Sequence, residues 1–262
     1  MIIGINGKIG SGKDTVGKII QCLTQGINSE KQIIDYCNGV KITGFDWKIK
    51  KFAAKLKEIA SLITGIPVEK FEDQEFKKAL LGEEWGTVRH NPLNNIEPFE
   101  KFQFNELMSV REFLQKLGTE AMRDGLHTNV WVNALFSDYK PACDKFESKM
   151  LQTGGNYTSS ICSNCDCLPN WIITDMRFPN EMKAVEEKGG ITIRVVRPKI
   201  ESLVDKMRPY SDLLHYGIPM PVEHPSETSL DSAEFDYEIV NDAGIPELIE
   251  KVREILVIEK II

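Results

Sequence analysis

Apolar positions along the chain follow two rhythms. Met1 to Asn6 is short, apolar and rich in β-branched residues, the pattern of a strand buried on both faces of a parallel sheet. It runs directly into glycines. From Asp14 onward Val16, Ile19, Ile20 and Leu23 recur at helical spacing, so strand, glycine turn and helix are expected within the first 24 residues.

The same two rhythms alternate further on. Phe52 to Ile63 has helical periodicity and stops near Gly65 and Pro67. Residues 109 to 123 predict another helix, with Ser109 and Glu112 spaced as a capping box and Val110, Phe113, Leu114 and Leu117 as its apolar face. Asn129 to Tyr139 continues as a helix. Trp171 to Thr174 is a second buried strand ending at Asp175, Ile191 to Val196 a third, and Tyr237 to Val240 a fourth. Ile245 to Val257 closes the chain as a helix with Pro246 in its first turn. Strands alternating with helices imply an α/β fold whose mostly parallel sheet is covered on both faces. Three stretches fit poorly: Gly82 to Lys101, Pro141 to Pro169, and Pro198 to Asp231, which holds five of the twelve prolines. Long irregular segments of this kind are expected as inserts within a single domain.

Composition narrows the class. The 262 residues carry 39 acidic and 32 basic side chains, a net charge of −7, and 42% apolar residues, which is ordinary globular usage. That balance argues against a surface built as a nucleic-acid platform, and leaves room for local basic clefts. No apolar run approaches a membrane span, and the N-terminus lacks a basic region followed by a long apolar one. The expectation is an intracellular, cytoplasmic protein with reduced cysteines, without a membrane or nucleic-acid polymer as partner.

Gly7-Lys-Ile-Gly-Ser-Gly12-Lys13-Asp14-Thr15 carries the strongest chemical signal. The spacing of Gly7, Gly12 and Lys13 is that of a phosphate-binding P-loop, except that Asp14 stands where Ser or Thr usually follows the lysine. Gly7, Gly10 and Gly12 let the backbone curl so that amides of the loop, Ser11 and Asp14 to Val16 included, face phosphate oxygens at a helix N-terminus. Lys13 supplies a full positive charge, and Thr15 offers a hydroxyl one position late. Asp175, at the carboxyl end of an apolar strand, is placed at the crevice where parallel sheets bind ligands, and reads as a carboxylate that orients magnesium.

These blocks together resemble the phage-type deoxynucleoside monophosphate kinases, a P-loop family related to adenylate, thymidylate and dephospho-coenzyme A kinases. The resemblance rests on SGKDT (11–15), FAAKLKEIA (52–60), VREFLQKLGTEAMRDGLHTNVWV (110–132), ITDMRFPNE (173–181) and HPSETSLD (224–231), which follow the family's order across nearly the whole chain. Ala54 and Lys55 stand where the family often has Asp-Pro. The resemblance implies a P-loop NTPase three-layer sandwich with lid and acceptor-binding inserts. Its core would comprise 1–24, 171–197 and 235–262, with a helical acceptor region of about 45–140, an insert of about 141–169 and a lid of about 198–231. In this family the residue after the P-loop lysine is often not a hydroxyl, which argues against a GTPase switch or a motor ATPase.

It also implies chemistry: transfer of a phosphoryl group from ATP, with Mg2+, to a (deoxy)nucleoside monophosphate. Thr15 and Asp175 would serve the metal, and Lys13, Arg197 and Arg208 the transferred group, the last two bracketing the start of the lid. Lys57, Arg111, Gln115, Arg123 and Arg177 are candidates for the nucleotide substrates. Trp131 is a candidate for base stacking, with an apolar-core position as the alternative. Arg111 and Arg123 lie twelve residues apart, about 120° on an ideal α-helix. Lys48, Lys50, Lys51 and Lys55 read as a solvated helix face, and Ser226 and Glu227 as polar side chains that serve backbone donors at a turn. Cys162, Cys165 and Cys167, with Cys143 upstream, could hold a structural zinc, although the absence of a second Cys-x-x-Cys pair or a nearby histidine favours free thiols. Another small-molecule P-loop kinase, of dephospho-coenzyme A or phosphomevalonate type, and a nucleotide-binding regulatory protein remain alternatives. A homodimer is compatible with the sequence, and a phage-encoded chain would act in the host cytoplasm.

Overall fold

The computed structural model describes residues 1–90, 103–141, 168–198 and 225–262. In chain order the elements are β1 (Ile2–Asn6), α1 (Lys13–Thr24), α2 (Glu30–Cys37), β2 (Trp47–Lys50), α3 (Ala53–Thr64), β3 (Thr87–His90), β4 (Gln103–Glu106), α4 (Val110–Gln115), α5 (Val130–Phe136), β5 (Asn170–Ile173), α6 (Pro179–Glu186), β6 (Ile191–Val196), α7 (Pro225–Thr228), β7 (Tyr237–Val240) and α8 (Ile245–Ile258). The chain divides into two compact units: Met1–Lys51 with Phe136–Ile262, and Phe52–Leu135.

The first unit is built on a five-stranded sheet in the order β2-β5-β1-β6-β7, and every neighbouring pair runs parallel. The apolar opening segment takes the central slot because it can be buried on both faces. Ile3 stands opposite Ile172 on β5 and Ile191 on β6. On one face Ile3, Ile5, Val16, Ile19, Ile20, Ile33, Leu248 and Val252 form a continuous core, bringing α1, α2 and α8 onto the sheet. On the other face Gly4 lies against Met176 and Val185 of α6, close enough that a Cβ would meet the Met176 sulfur at 3.1 Å. Trp171 shares that second face, stacked on Phe136 with Tyr139 edge-on to it. Helix, sheet and helix layers give the covered parallel α/β sheet that the alternating pattern implies, the three-layer arrangement expected from the resemblance to P-loop kinases. The chain leaves β1 toward β2 and β5 on one side and then crosses from β5 past β1 to β6 and β7 on the other, so the order reverses at β1 and opens a crevice at its carboxyl end.

The sequence pattern missed two elements of this unit. Helix α2 has one fully buried side chain, Ile33, too little periodicity to announce a helix. Strand β2 is the sheet edge beside β5. Lys48 and Lys50 therefore lie on a strand, not at the start of a helix, and alternation with Trp47 and Ile49 is what their segment encodes.

The second unit gathers Ala60, Phe71, Leu81, Val110 and Phe113 into its own core. Ser109 caps α4 as its spacing predicts: its hydroxyl accepts from the Glu112 amide at 3.2 Å, and the Glu112 carboxylate accepts from the Ser109 amide at 3.0 Å. Beyond Gln115 the helix widens into π turns over Lys116–Asp124. The Gly125 amide bonds five residues back to Glu120, and the His127 amide five back to Met122, each at 3.0 Å. The 120° offset between Arg111 and Arg123 belongs to an ideal α-helix and does not survive this widening. Strand β3 falls within the Gly82 to Lys101 stretch expected to be irregular, and pairs antiparallel with β4 just beyond it. Among the described residues no helix is long and apolar enough to cross a membrane.

Cys22 lies fully buried on α1. Burial, then the charge of Cys37, push its thiol from 9.0 up to about 11. An unfolded chain therefore releases this proton first as pH rises. Stability should fall between pH 9 and about 11 and then level off. Denaturant melts across that range should show a smaller alkaline loss for Cys22→Ala than for the parent; equal losses would contradict this role for the thiol.

Candidate functional site

The site starts where β1 runs out. Between Asn6 and Lys13 the chain must reverse from a buried strand into α1, and Gly10 and Gly12 take left-handed φ values of 80° and 98°. Gly7 is needed for space: a Cβ there would lie 2.7 Å from the Val195 carbonyl oxygen and 2.4 Å from Ser11 Oγ. A turn bond from the Ser11 amide to the Lys8 carbonyl (3.1 Å) sets the curl. Gly12 caps α1, and the first helical bond runs from Val16 N–H to the Gly12 carbonyl at 2.9 Å. The amides of Gly12, Lys13, Asp14 and Thr15 are thus the four that a helix leaves without an internal partner. Of the expected ligand set, Val16 differs from its neighbours: its amide bonds inside the helix and its side chain is fully buried. Ser11 Oγ is buried with no hydrogen-bond partner. Four orphan amides, an orphan hydroxyl and a hollow that no Cβ at Gly7 could share fit a bound phosphate group.

Charge is arranged around this hollow. Lys13 Nζ rests 3.4 Å from the Lys8 carbonyl. Burial, then the Arg177 charge, bring its ammonium below the ordinary lysine value, while Asp14, Glu227 and Asp175 pull it back up. Asp14 explains its own departure from the P-loop pattern. Its Oδ1 accepts from the Thr174 hydroxyl at 2.9 Å and lies 3.2 Å from Lys51 Nζ. Burial raises the Asp14 carboxyl, but Lys51, the Thr174 bond and Lys13 outweigh it and hold it below the usual carboxylate value. This carboxylate ties α1 to the end of β5 and to the residue after β2. Lys51, read as part of a solvated helix face, is its partner.

Thr15 is half-buried in the first turn of α1, and Asp175 is half-buried just past β5, after the fully buried Thr174. Arg177 pairs with Glu227 on α7. The Glu227 carboxylate thus meets a guanidinium, where its motif had suggested a backbone-serving turn residue. The start of α6 is held by Glu181, whose carboxylate accepts from the Arg177 and Phe178 amides at 2.7 and 3.1 Å. Lys8 pairs with Asp231 at 3.3 Å, and Arg194 donates to the Leu230 carbonyl while lying 4.5 Å over the Phe235 ring. Residues 227–231 are therefore anchored at the carboxyl edge of the sheet. Arg197 is exposed just past β6. From the other side, the Asn241 amide group donates to the Ser11 carbonyl at 2.8 Å.

The remaining expected ligands belong to the second unit. Lys57 is buried, with Nζ 2.5 Å from Glu72 Oε1, so its charge is already compensated there. Arg111 reaches Gln74 at 3.4 Å, Gln115 is half-buried, and Arg123 is buried on the π-helical stretch. Trp131 is buried, and its indole N–H donates to the Gly118 carbonyl at 2.8 Å, the core placement weighed against base stacking. Arg208, His224, Cys143, Cys162, Cys165 and Cys167 lie outside the described residues. Among the described residues no group of three or more His, Cys, Asp or Glu side chains could hold a metal ion. Mg2+ takes only one or two carboxylates alongside phosphate oxygens and water, so Thr15 and Asp175 remain a suitable donor set for it.

Asn241 went unnoticed in the sequence, and Lys51 was read only as a solvated lysine. Asn241 could have been found: a polar residue closing a buried parallel strand is the signal that singled out Asp175. Lys51 could not, because its partner is 37 positions away in sequence and no spacing rule links them.

Strand order, glycine turn and lysine define an α/β domain with a P-loop-type phosphate cradle. The chain is similar to the deoxynucleoside-5'-monophosphate kinase of Escherichia phage T5, with 23% identity over 275 residues, 92% of this chain and 89% of that protein. It is also similar to the deoxynucleotide monophosphate kinase of Enterobacteria phage T4, with 28% identity over 164 residues, 63% of this chain and 48% of that one. The resemblance read from the sequence blocks is borne out by both. No family model matches the chain. Among solved structures, TT1252 from Thermus thermophilus aligns over 99% of this chain and 97% of its own at 16% identity and a TM-score of 0.35. A dephospho-CoA kinase from Campylobacter jejuni aligns over 99% and 96% at 14% identity and a TM-score of 0.31. The fold assignment rests on the strand order and not on these two.

Gly7→Ala tests the cradle. A methyl group must push against the Val195 backbone, so phosphate-ligand affinity should drop at least tenfold, with a stability loss of about 1–3 kcal/mol. Titration with ATP and a denaturant melt check both; wild-type affinity would mean that the hollow does not hold phosphate.

Proposed function

We propose that this protein is a kinase that transfers the γ-phosphoryl group of ATP to a deoxynucleoside monophosphate, giving the diphosphate, in the host cytoplasm of a phage. The observation that carries the reading is the cradle of unpartnered amides at Gly12 to Thr15 with Lys13 beside it, in a chain similar over 92% of its length to a phage deoxynucleoside monophosphate kinase.

Phosphoryl transfer needs alignment, charge neutralisation and exclusion of water more than covalent chemistry. An acceptor phosphate oxygen attacks the γ-phosphorus while the bond to the β–γ bridging oxygen breaks. The acceptor is already an anion, so no general base is required. The loop amides would hold the phosphate chain, and Lys13 would neutralise charge that builds on the transferred group. Mg2+, if bound, would supply Lewis-acid neutralisation of the phosphate charge, and Thr15 and Asp175 are the residues that would hold it. Arg177 lies close enough to Lys13 to depress its pKa, and would add a second positive charge at the same phosphates. Arg197 and Arg208 are assigned to the lid that excludes water, and Arg111, Gln115 and Arg123 to the acceptor. Lys57 is left to its Glu72 pair, and Trp131 to the core.

A coupled assay for ADP release across a panel of deoxynucleoside monophosphates tests the reaction; no turnover with any of them would overturn it. Lys13→Ala should lower kcat/KM by about a hundredfold to a thousandfold or more, as loss of a preorganised charge does, with an unchanged circular dichroism spectrum. Retained activity would remove the loop from the mechanism.

A further inference from the structure

We infer that Asn241 is a positioning residue for donor-phosphate binding, acting through the peptide that joins Ser11 to Gly12. The inference rests on the phosphate-loop reading above. Asn241 follows β7 directly, and its own amide is fixed by a 2.7 Å bond to the Val196 carbonyl, so its backbone is held by the ladder between β6 and β7. From that anchored position its side-chain Nδ2 crosses to the Ser11 carbonyl oxygen at 2.8 Å, 230 positions away in sequence.

The consequence is stereochemical. In a planar trans peptide the carbonyl and the following N–H point in opposite directions. Holding the Ser11 carbonyl toward Asn241 aims the Gly12 N–H away from it, on the side where the first amides of α1 stand without partners. Gly12 has little intrinsic preference to keep that orientation. At φ 98° with no Cβ, the peptide before it can rotate at small cost. The Asn241 amide also occupies the space beside Gly12: a Cβ there would lie 2.5 Å from Nδ2. One side chain therefore fixes the carbonyl and blocks the alternative. Asn241 touches no phosphate in this arrangement; it preorganises the amide that does, and binding then costs less ordering.

The test uses the full chain and three probes that share phosphates: ATP, ADP and inorganic tripolyphosphate. Asn241→Ala should weaken all three by about tenfold, the order of one hydrogen bond. It should leave the KM of the deoxynucleoside monophosphate within about twofold. A purely structural role predicts instead a lower melting point with unchanged affinity for all three probes, and that result overturns the proposal. So does a loss that falls equally on donor and acceptor. If Asn241→Ala fails to fold, Asn241→Asp keeps the shape and replaces the donor by an acceptor, and the same tenfold loss in tripolyphosphate affinity is expected. If the wild-type chain binds none of the three probes, the phosphate-loop reading itself fails, and the proposal with it.

Discussion

The structure turns on one backbone requirement: β1 must end, reverse and restart as α1 within six residues, with the first amides of the helix left bare. A strand buried on both faces can do this only at the carboxyl edge of the sheet, where neighbours on either side provide walls. Val195 supplies one wall close enough to exclude any side chain at Gly7, and Thr174 supplies another through its bond to Asp14. The order β2-β5-β1-β6-β7 is what places those two strands beside β1. Moving β5 or β6 from its slot would leave the loop without a wall.

Charge follows from the same geometry. A hollow lined by orphan amides and two or more cations is unstable in isolation, and the protein balances it with carboxylates at its rim. Asp14 takes Lys51, Glu227 takes Arg177, and Asp231 takes Lys8. The more exposed of these, Asp231 with Lys8 and Asp14 with Lys51, contribute little stability one by one. Their effect is to hold long side chains in place around the loop while leaving Lys13 least compensated by direct contact. The net charge of −7 is therefore an average that says nothing of the sign at the site.

The second unit shows a different compromise. A widened helical turn weakens the regular ladder, and here Trp131 compensates by donating its indole N–H to the Gly118 carbonyl. The same residues bring Arg123 into a buried position, which a solvent-facing arginine on an α-helix would not reach. A capping box and an apolar stripe are local signals, and they located α4 correctly. The widening is a response to packing, and no local signal announces it.

Short-range physics made much of this protein legible in the sequence. Buried strands declare themselves by apolar runs, the loop by glycines that nothing else can replace, and Ser109 with Glu112 by a spacing that closes on itself. The position of Asp175, just past the carboxyl end of a buried strand, was legible in the same way. Only the tertiary structure decided that β2 is a sheet strand carrying Lys48 and Lys50, that Lys51 answers Asp14, that Glu227 answers Arg177, and that Asn241 braces the loop. Each of these joins residues 37 to 230 positions apart. Propensity and periodicity act over a few residues, whereas the strand order that unites these partners is fixed by burial of the whole sheet.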